Sequence, residues 1–254
     1  MEGESLFRPI ADNEVFYFSC GPEVPCFNAC CRDLNQFLAP YDVLRLARHL
    51  DMHTGDFLAA YTLCHDGPQT GLPVVTLKPA EPGEKQCPFV AAEGCRVYEN
   101  RPGSCRMYPL ARMLRRARND GSLTESYALI REAHCRGFEQ GLPMTAEQWI
   151  ADQGLEPYNE LNDAMIDVIS VKQQYLPGPV KGALGEKLFA ALYDIDAWKT
   201  DFHPQASADS RHPGFPLDEP DPADDEALLR FAMQYAAALL RHESGDRPQT
   251  EARM

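Results

Sequence analysis

The chain has 254 residues, of which 44% are hydrophobic and 24% are charged, proportions typical of a globular protein with a substantial core. Its formal net charge of -14 at pH 7 argues against a general nucleic-acid binder, because phosphate binding needs a basic face. No stretch approaches the roughly 18 to 20 apolar residues that cross a bilayer, and the sequence does not open on a secretory signal. We therefore expect a cytoplasmic protein whose partners include neither a membrane nor a nucleic acid.

Nine cysteines are the most informative feature of the composition. A reducing compartment disfavours structural disulfides, and thiols buried only as small hydrophobes would be scattered at core periodicity. Eight of the nine are instead bunched beside Gly and Pro, which favours metal binding. These predicted ligands are Cys20, Cys26, Cys30, Cys31, Cys87, Cys95, Cys105 and Cys135. The ninth, Cys64, follows a predicted helix, and we interpret it as an ordinary packed cysteine.

The first half of the chain alternates loops with short regular elements. Residues 14–40 hold the first cysteine group, Cys20–Cys31, and their Gly, Pro and Asn content predicts an irregular loop. Apolar residues at helical spacing between Pro40 and Leu50 predict a helix, and Thr54 is the expected N-cap of a second, short helix. Residues 73–78 predict a strand that leads into the second cysteine group, Cys87, Cys95 and Cys105.

From residue 141 onward the sequence is mainly helical in character. Thr145 and Gln148 predict a capping box, and residues 227–242 predict an apolar-striped helix. Residues 201–224 are interpreted as a Pro- and Asp-rich linker, and residues 243–254 as a disordered tail. The predicted core positions on these helices are Leu161, Met165, Val168, Tyr175, Leu188, Leu192, Ile195, Leu228, Phe231, Tyr235 and Leu239.

The predicted fold is mainly α, with irregular cysteine-rich loops and a few short strands. We expect a metal-organised N-terminal module at residues 14–140, packed on a helical C-terminal region at residues 141–242. The acidic C-terminal region is also where a protein partner would be contacted if the metal were purely structural.

Thiolates are soft ligands, and four of them satisfy one tetrahedral zinc ion or one cubane iron-sulfur cluster. Eight thiolates allow two such sites, or one site with reserve or redox cysteines. The chain lacks the paired C-x2-C hooks of zinc ribbons, and the side chains of adjacent Cys30 and Cys31 tend to point apart. These features favour an iron-sulfur cluster, of the 4Fe-4S kind, over zinc or iron ions, and both alternatives remain open.

Several short motifs in order resemble the YkgJ-type cysteine-cluster family, which is described as zinc- or iron-chelating. The motifs are Cys26-x3-Cys30-Cys31-Arg32, Cys87-Pro88-Phe89, Gly94-Cys95-Arg96-Val97-Tyr98, Arg101-Pro102, Cys105-Arg106-x-Tyr108-Pro109 and Cys135-x-Gly137. The resemblance covers about residues 14–140 and implies metal chelation by the cysteines. The family is similar to flagellin lysine N-methylases, which share such a motif, so an iron-sulfur-dependent transferase is the alternative function.

Charged residues beside the cysteines are the remaining site candidates. Arg101 and Arg106 flank Cys105, and their guanidinium groups are predicted to contact and stabilise an anionic cluster, although a solvated face is the competing interpretation. His65 and His134 each adjoin a cysteine, but we interpret both as surface or hydrogen-bonded residues. No nucleotide-binding Gly-rich loop, Walker motif or H-E-x-x-H sequence is present, so a conventional cofactor enzyme has no support.

Overall fold

The computed structural model describes residues 6–116, 122–201 and 220–245. Within these residues the fold is mixed α+β, with eight α-helices and ten strands in four small antiparallel sheets, which confirms the predicted mixture of helices and short strands. None of the described helices is both long and apolar enough to span a membrane. Most of the predicted linker at 201–224 and the predicted tail beyond residue 245 lie outside the described residues.

The chain divides into two compact units that interleave along the sequence. Unit 1 comprises Met1–Leu34 and Ala80–Pro157, and unit 2 comprises Asn35–Pro79 and Tyr158–Met254, each as far as it is described. The helix pair that follows the first cysteine group therefore belongs to unit 2. The predicted domain boundary between residues 140 and 141 stays a prediction.

Unit 1 is built mainly from short strands. One sheet has the order β1-β9-β8, a second pairs β2 with β10, and a hairpin joins β6 to β7. Two short α-helices, α3 and α4, complete the unit. The bounds are β1 Phe7–Ile10, β2 Phe16–Phe18, β6 Val90–Ala91, β7 Gly94–Cys95, α3 Gly103–Met107, β8 Leu110–Arg116, β9 Leu123–Ile130, β10 Leu142–Met144 and α4 Ala146–Asp152.

The core of unit 1 is an aromatic cluster centred on Phe18. Its ring meets those of Tyr108, Phe138 and Trp149 edge to face, with centroids 5.6, 5.2 and 5.6 Å away. The Trp149 indole N–H donates to the Met107 carbonyl oxygen at 3.2 Å, so the polar end of this side chain is satisfied. This cluster ties β2 to the segments on either side of Cys105 and Cys135.

Unit 2 consists of helices and a small sheet whose strand order is β3-β5-β4. Helices α6, α7 and α8 contact one another, α1 and α2 pack on α8 and α7 respectively, and α6 covers β5. The bounds are β3 Phe37–Leu38, α1 Pro40–His49, α2 Thr54–Tyr61, β4 Thr62–Asp66, β5 Pro73–Leu77, α5 Glu156–Tyr175, α6 Gly182–Leu192, α7 Ile195–Asp201 and α8 Asp225–Glu243, where α5 enters the unit at Tyr158.

Several sequence predictions about these elements are confirmed. The strand predicted at 73–78 is β5, and the helix predicted at 227–242 is α8, whose stripe of Leu228, Phe231, Tyr235 and Leu239 is buried. The capping box of α4 is complete, since Thr145 Oγ1 accepts from the Gln148 N–H at 3.3 Å and Gln148 Oε1 accepts from the Thr145 N–H at 2.9 Å. These elements could be predicted because the signals that specify them are local in sequence.

The predicted N-cap role of Thr54 is wrong. The cap position is His53, and Thr54 is the first residue of α2. The Thr54 hydroxyl donates to Asp194 Oδ1 at 2.8 Å, and the Thr54 N–H is accepted by Asp196 Oδ2 at 2.8 Å. A carboxylate from a distant element therefore satisfies the helix start, which a local pattern does not reveal.

Candidate metal centre

All eight predicted cysteine ligands belong to unit 1, and Cys64 belongs to unit 2. The eight arrive on three stretches of chain: the first cysteine group, the second cysteine group, and the segment 132–139 that carries Cys135. None of the nine cysteines is in a disulfide. The fold thus gathers into one unit thiols that are up to 115 residues apart in sequence, the separation of Cys20 and Cys135.

The first cysteine group runs through consecutive tight turns. The N–H of Phe27 bonds to the Val24 carbonyl at 2.9 Å, and the N–H of Ala29 bonds to that of Cys26 at 2.9 Å. A single turn of 3-10 helix, Cys30–Arg32, follows. Asn28, at φ 64°, takes the left-handed conformation that lets the chain reverse between Cys26 and Cys30. The tight winding brings the four cysteines of the group close together.

The second cysteine group is joined to the first through backbone contacts. The Cys87 N–H donates to the Cys31 carbonyl oxygen at 2.8 Å, and the Asn28 side-chain amide donates to the Ala91 carbonyl oxygen at 3.2 Å. The hairpin β6–β7 pairs Val90 with Cys95. Cys87 and Cys95 are therefore held beside the Cys30–Cys31 end of the first group.

Cys135 is joined to the other end of the first group. The Arg136 backbone N–H donates to Cys26 Sγ at 3.1 Å, and the Ser19 N–H donates to the Gly137 carbonyl oxygen at 3.0 Å. An N–H bond to sulfur stabilises a thiolate, and such bonds commonly surround metal-bound cysteines. Residue types alone do not reveal this donor, because almost every residue has a backbone N–H. The sequence feature that marks its position is the spacing Cys135-x-Gly137.

The side chains of adjacent Cys30 and Cys31 interact with each other. This interaction lowers the pKa of Cys30 and, together with burial, raises that of Cys31. The lowered pKa of Cys30 favours its thiolate form, which is the form of a cysteine that binds a metal ion.

Burial opposes the charged form of several other thiols of the centre. It raises the pKa of Cys20 to about 11, with smaller contributions from the neighbouring Cys30, Cys26 and Cys135 in the same direction. Burial likewise raises the pKa values of Cys87 and Cys95. Metal binding to these thiols must therefore release protons, which makes the affinity depend on pH.

Tyr108 is a further residue of the centre. Its hydroxyl oxygen is buried and has no hydrogen-bond partner of good geometry. Burial and, to a smaller extent, the neighbouring Cys135 raise the pKa of Tyr108. The nearby hydroxyl in turn acts to lower the pKa of Cys135 and partly offsets the rise that burial causes there. The hydroxyl is thus placed to donate to a Cys135 thiolate.

Arg101 and Arg106 have different surroundings. The Arg101 guanidinium lies 3.8 Å from the Tyr98 ring centroid and donates to the Tyr98 carbonyl oxygen at 2.9 Å. Its charge lowers the pKa values of Cys20 and Cys95, against the larger effect of burial. Arg106 donates to the carbonyl oxygens of Gln153 at 2.8 Å, Arg101 and Glu99. The role of both arginines as cofactor contacts stays a prediction.

The remaining candidate residues are Cys64, His65 and His134. Cys64 is on β4, exposed rather than packed, beside Val75 of β5. His65 is in the same strand, with its ring 6.5 Å from that of Phe37. His134 is exposed and lies 3.8 Å from a Glu132 carboxylate oxygen. The interpretation of Cys64 as a packed residue is wrong, because every side chain of β4 after Thr62 is exposed.

The donor chemistry of unit 1 fits zinc, iron or an iron-sulfur cluster, since eight thiols and an N–H bond to sulfur are present. Among the residues that the structure describes, no three Cys, His, Asp or Glu side chains are already arranged to hold one ion. The sulfurs instead form hydrogen-bonded and electrostatically coupled neighbours. The thiols therefore fit a metal ion or cluster in their donor type and in their closeness to one another.

Fold and site together define a cysteine-cluster protein. Residues 19–136 match the family model CxxCxxCC, described as "Putative zinc- or iron-chelating domain". This match confirms, over residues 19–136, the YkgJ-type resemblance that the motifs indicated, and it begins just before Cys20 and ends just after Cys135. The first group has the family's four-cysteine order with wider gaps, Cys20-x5-Cys26-x3-Cys30-Cys31. No curated protein and no solved structure matches the chain.

Proposed function

We propose that this protein binds zinc or iron through the cysteine thiolates of unit 1, and that its physiological form carries an iron-sulfur cluster. The observation that carries the proposal is the convergence of eight thiols from three chain segments into one unit. Without a metal, burial opposes the charged form of these thiols and neighbouring thiolates repel one another, so deprotonating several of them together is unfavourable. A bound cation stabilises the thiolates and offsets both effects.

Iron-sulfur ligation is favoured over zinc because the chain lacks the paired C-x2-C hooks of zinc ribbons. Arg101 places a positive charge near Cys20 and Cys95, and a thiolate-ligated metal centre carries a net negative charge that a guanidinium stabilises. The proposal requires the thiol side chains to turn toward the bound metal.

The proposal is tested by purifying the protein without oxygen and measuring zinc, iron and acid-labile sulfide per chain, with the visible absorption spectrum. Iron and sulfide in near-equal amounts support the cluster, whereas stoichiometric zinc without sulfide supports the chelating function but contradicts the cluster. A Cys64→Ser variant is the matched control, since it removes a thiol from unit 2 and should change neither result. A reduced chain that retains no zinc or iron, even after reconstitution, would contradict the function.

A further inference from the structure

We infer that Gln153 is a positioning residue of the metal centre, and that it holds the Arg101 guanidinium beside the cysteine segments of unit 1. Gln153 directly follows α4 and lies beyond residues 19–136, which match the family model. The inference rests on the proposed function, because it concerns the surroundings of the metal proposed above. It adds to that centre a residue from outside the matched region.

Helix α4 is anchored in the core of unit 1, next to a cysteine segment. The Trp149 indole of α4 packs in the aromatic cluster and donates to the carbonyl oxygen of Met107 at 3.2 Å. Met107 is the last residue of α3, the helix that carries Cys105. The Gln153 N–H donates to the Trp149 carbonyl oxygen at 2.9 Å. The backbone of Gln153 is therefore fixed close to this segment.

Gln153 accepts hydrogen bonds from two arginines of the same segment, through two different groups. Its side-chain Oε1 accepts from the Arg101 guanidinium, and its backbone carbonyl oxygen accepts from the Arg106 guanidinium at 2.8 Å. Arg106 Nε in turn donates to the Arg101 carbonyl oxygen at 3.3 Å. The two contacts are separable, because a substitution of the Gln153 side chain removes the bond to Arg101 and keeps the backbone acceptor of Arg106.

The Gln153 contact relates Arg101 to the core of unit 1. Arg101 also contacts Tyr98, whose ring centroid lies 3.8 Å from the guanidinium carbon. Tyr98 is 50% exposed and lies three residues earlier in the same stretch of chain, so this contact is local. Gln153 is 52 residues away in sequence and belongs to a different element. Its side chain therefore fixes the guanidinium relative to the rest of the unit.

The chemistry of Gln153 suits a neighbour of a charge that acts elsewhere. An amide oxygen accepts from a guanidinium without neutralising it, as a carboxylate would. The Gln153 amide nitrogen donates to Asp152 Oδ2 at 2.8 Å, so one end of the amide holds a carboxylate and the other holds Arg101. Burial raises the pKa values of Cys20 and Cys95, and the Arg101 charge opposes this rise in both. Thiolates bound to a metal carry negative charge that this guanidinium stabilises.

The test measures Zn(II) affinity by chelator competition for the reduced, full-length chain and two variants. Gln153→Ala removes the bond to Arg101, whereas Gln153→Glu keeps an acceptor there but neutralises the guanidinium. Both variants are expected to bind Zn(II) about 10-fold more weakly than wild type. Wild-type affinity in Gln153→Ala would overturn the inference. Wild-type affinity in Gln153→Glu would overturn it too, since the contact would then serve structure alone.

Gln148→Ala is the matched control, because it makes the same substitution in the same helix and breaks the capping box of α4. It should lower the Tm of the metal-free chain by about 2 to 4 °C and leave the Zn(II) affinity unchanged. Equal losses of Zn(II) affinity in Gln148→Ala and Gln153→Ala would overturn the inference, because the stability of α4 would then explain both.

A double-mutant cycle tests whether Gln153 acts through Arg101. Arg101→Met should weaken Zn(II) binding at least as much as Gln153→Ala, and the double variant should bind no more weakly than Arg101→Met alone. Additive losses would overturn the inference, because Gln153 would then act by another route. A wild-type chain that binds no Zn(II) and no iron would instead contradict the proposed function itself.

Discussion

At the residue scale, Tyr108 distinguishes a packing role from a role at the metal. Its hydroxyl is buried, lacks a well-formed hydrogen bond and faces Cys135. Tyr108→Phe should leave the stability of the metal-free protein within about 1 kcal/mol, since no good hydrogen bond is lost. The same change should weaken metal binding by roughly 10- to 100-fold, because a donor to a ligand sulfur is removed.

Thermal unfolding of the metal-free chain and chelator competition of the loaded chain check the two halves of this prediction. Tyr98→Phe is the control, since the Tyr98 side chain is 50% exposed and stacks with Arg101. Equal metal affinity in wild type and Tyr108→Phe would show that the hydroxyl serves packing alone.

Lys172 of α5 is a buried charge without a counter-ion. Its side chain is 1% exposed, its ammonium group donates to the Gly178 carbonyl oxygen, and no described carboxylate forms an ion pair with it. Burial lowers the pKa of Lys172. The folded state therefore binds the proton of the Lys172 ammonium group less readily than the unfolded state does. The free-energy cost of burying the charged group is present at neutral pH and fades as the pH rises toward about 10.4.

Lys172→Met should consequently be as stable as wild type at pH 7, or more stable by up to about 2 kcal/mol, since the removed charge outweighs one lost hydrogen bond. The advantage should shrink at pH 9.5. Urea unfolding at both pH values measures it, with the exposed Lys181→Met as control. Destabilisation of Lys172→Met by more than about 1 kcal/mol would show that the bond to Gly178 is the larger effect.

At the scale of elements, Arg48 of α1 links two other helices of unit 2. Its guanidinium makes two bonds to Asp196 of α7, at 2.7 and 2.8 Å, and two to Asp225 of α8, at 2.6 and 3.3 Å. These groups are partly buried. Arg48→Met should lower the free energy of unfolding by about 2 to 3 kcal/mol, because bidentate charged hydrogen bonds are lost and a carboxylate is left behind.

Urea denaturation checks this value, with a change in midpoint and none in slope. The matched control is Arg230→Met. Arg230 pairs with the exposed Glu160 at 3.3 Å, and loss of this surface ion pair should cost less than about 0.5 kcal/mol. Similar effects of the two substitutions would contradict a special role for the Arg48 cluster.

The same cluster predicts an acid response. Burial alone would raise the pKa of Asp196. The hydrogen bonds from Arg48 and from the Thr54 N–H outweigh burial and hold this pKa well below its usual range. A carboxyl with a depressed folded pKa adds stability above its unfolded pKa of about 3.9 and loses it as the pH falls further. Wild type should therefore lose stability more steeply than Arg48→Met below about pH 5. Parallel curves would contradict this.

Sequence signals predicted the elements whose causes are local. The stripe of α8, the capping box of α4 and strand β5 needed only propensity and periodicity. The helix predicted through Leu188, Leu192 and Ile195 is interrupted at Tyr193 and Asp194, where the chain turns before α7. The Asp194 carboxylate accepts from Thr54, a contact 140 residues away that no local pattern contains.

The cysteines of the candidate site could be predicted from the sequence, but the contacts around their sulfurs could not. Residue type and clustering marked the eight cysteines, because thiols beside Gly and Pro are unusual outside metal sites. The Arg136 N–H donor to sulfur was not assigned, since its role depends on tertiary placement. The exposure of Cys64 likewise depends on what covers β4 in the fold, which spacing alone does not give.

At the scale of the whole molecule, the two units differ in what stabilises them. Unit 2 has a conventional apolar core of helices, with Trp198, Leu188 and Leu192 fully buried. Unit 1 gathers thiols in irregular turns around a smaller aromatic core. Metal removal should therefore loosen the cysteine segments at 19–34, 86–106 and 132–139 and leave α6 and α8 protected, since metal binding supplies folding energy locally.

Hydrogen exchange followed by mass spectrometry, with and without a chelator, checks this expectation segment by segment. The helices of unit 2 are the internal control. Faster exchange throughout both units would show that the metal stabilises the entire chain, and unchanged exchange in the cysteine segments would show that the metal has no structural role there.

The most direct test of the central claim, thiolate ligation by the cysteines of unit 1, is X-ray absorption at the edge of the bound metal in the anaerobically purified protein. A first shell of sulfur alone is predicted, at about 2.3 Å if the metal is zinc, and it should be unchanged in Cys64→Ser. A first shell dominated by nitrogen or oxygen at about 2.0 to 2.2 Å would contradict the account, because the metal would then be held by other residues.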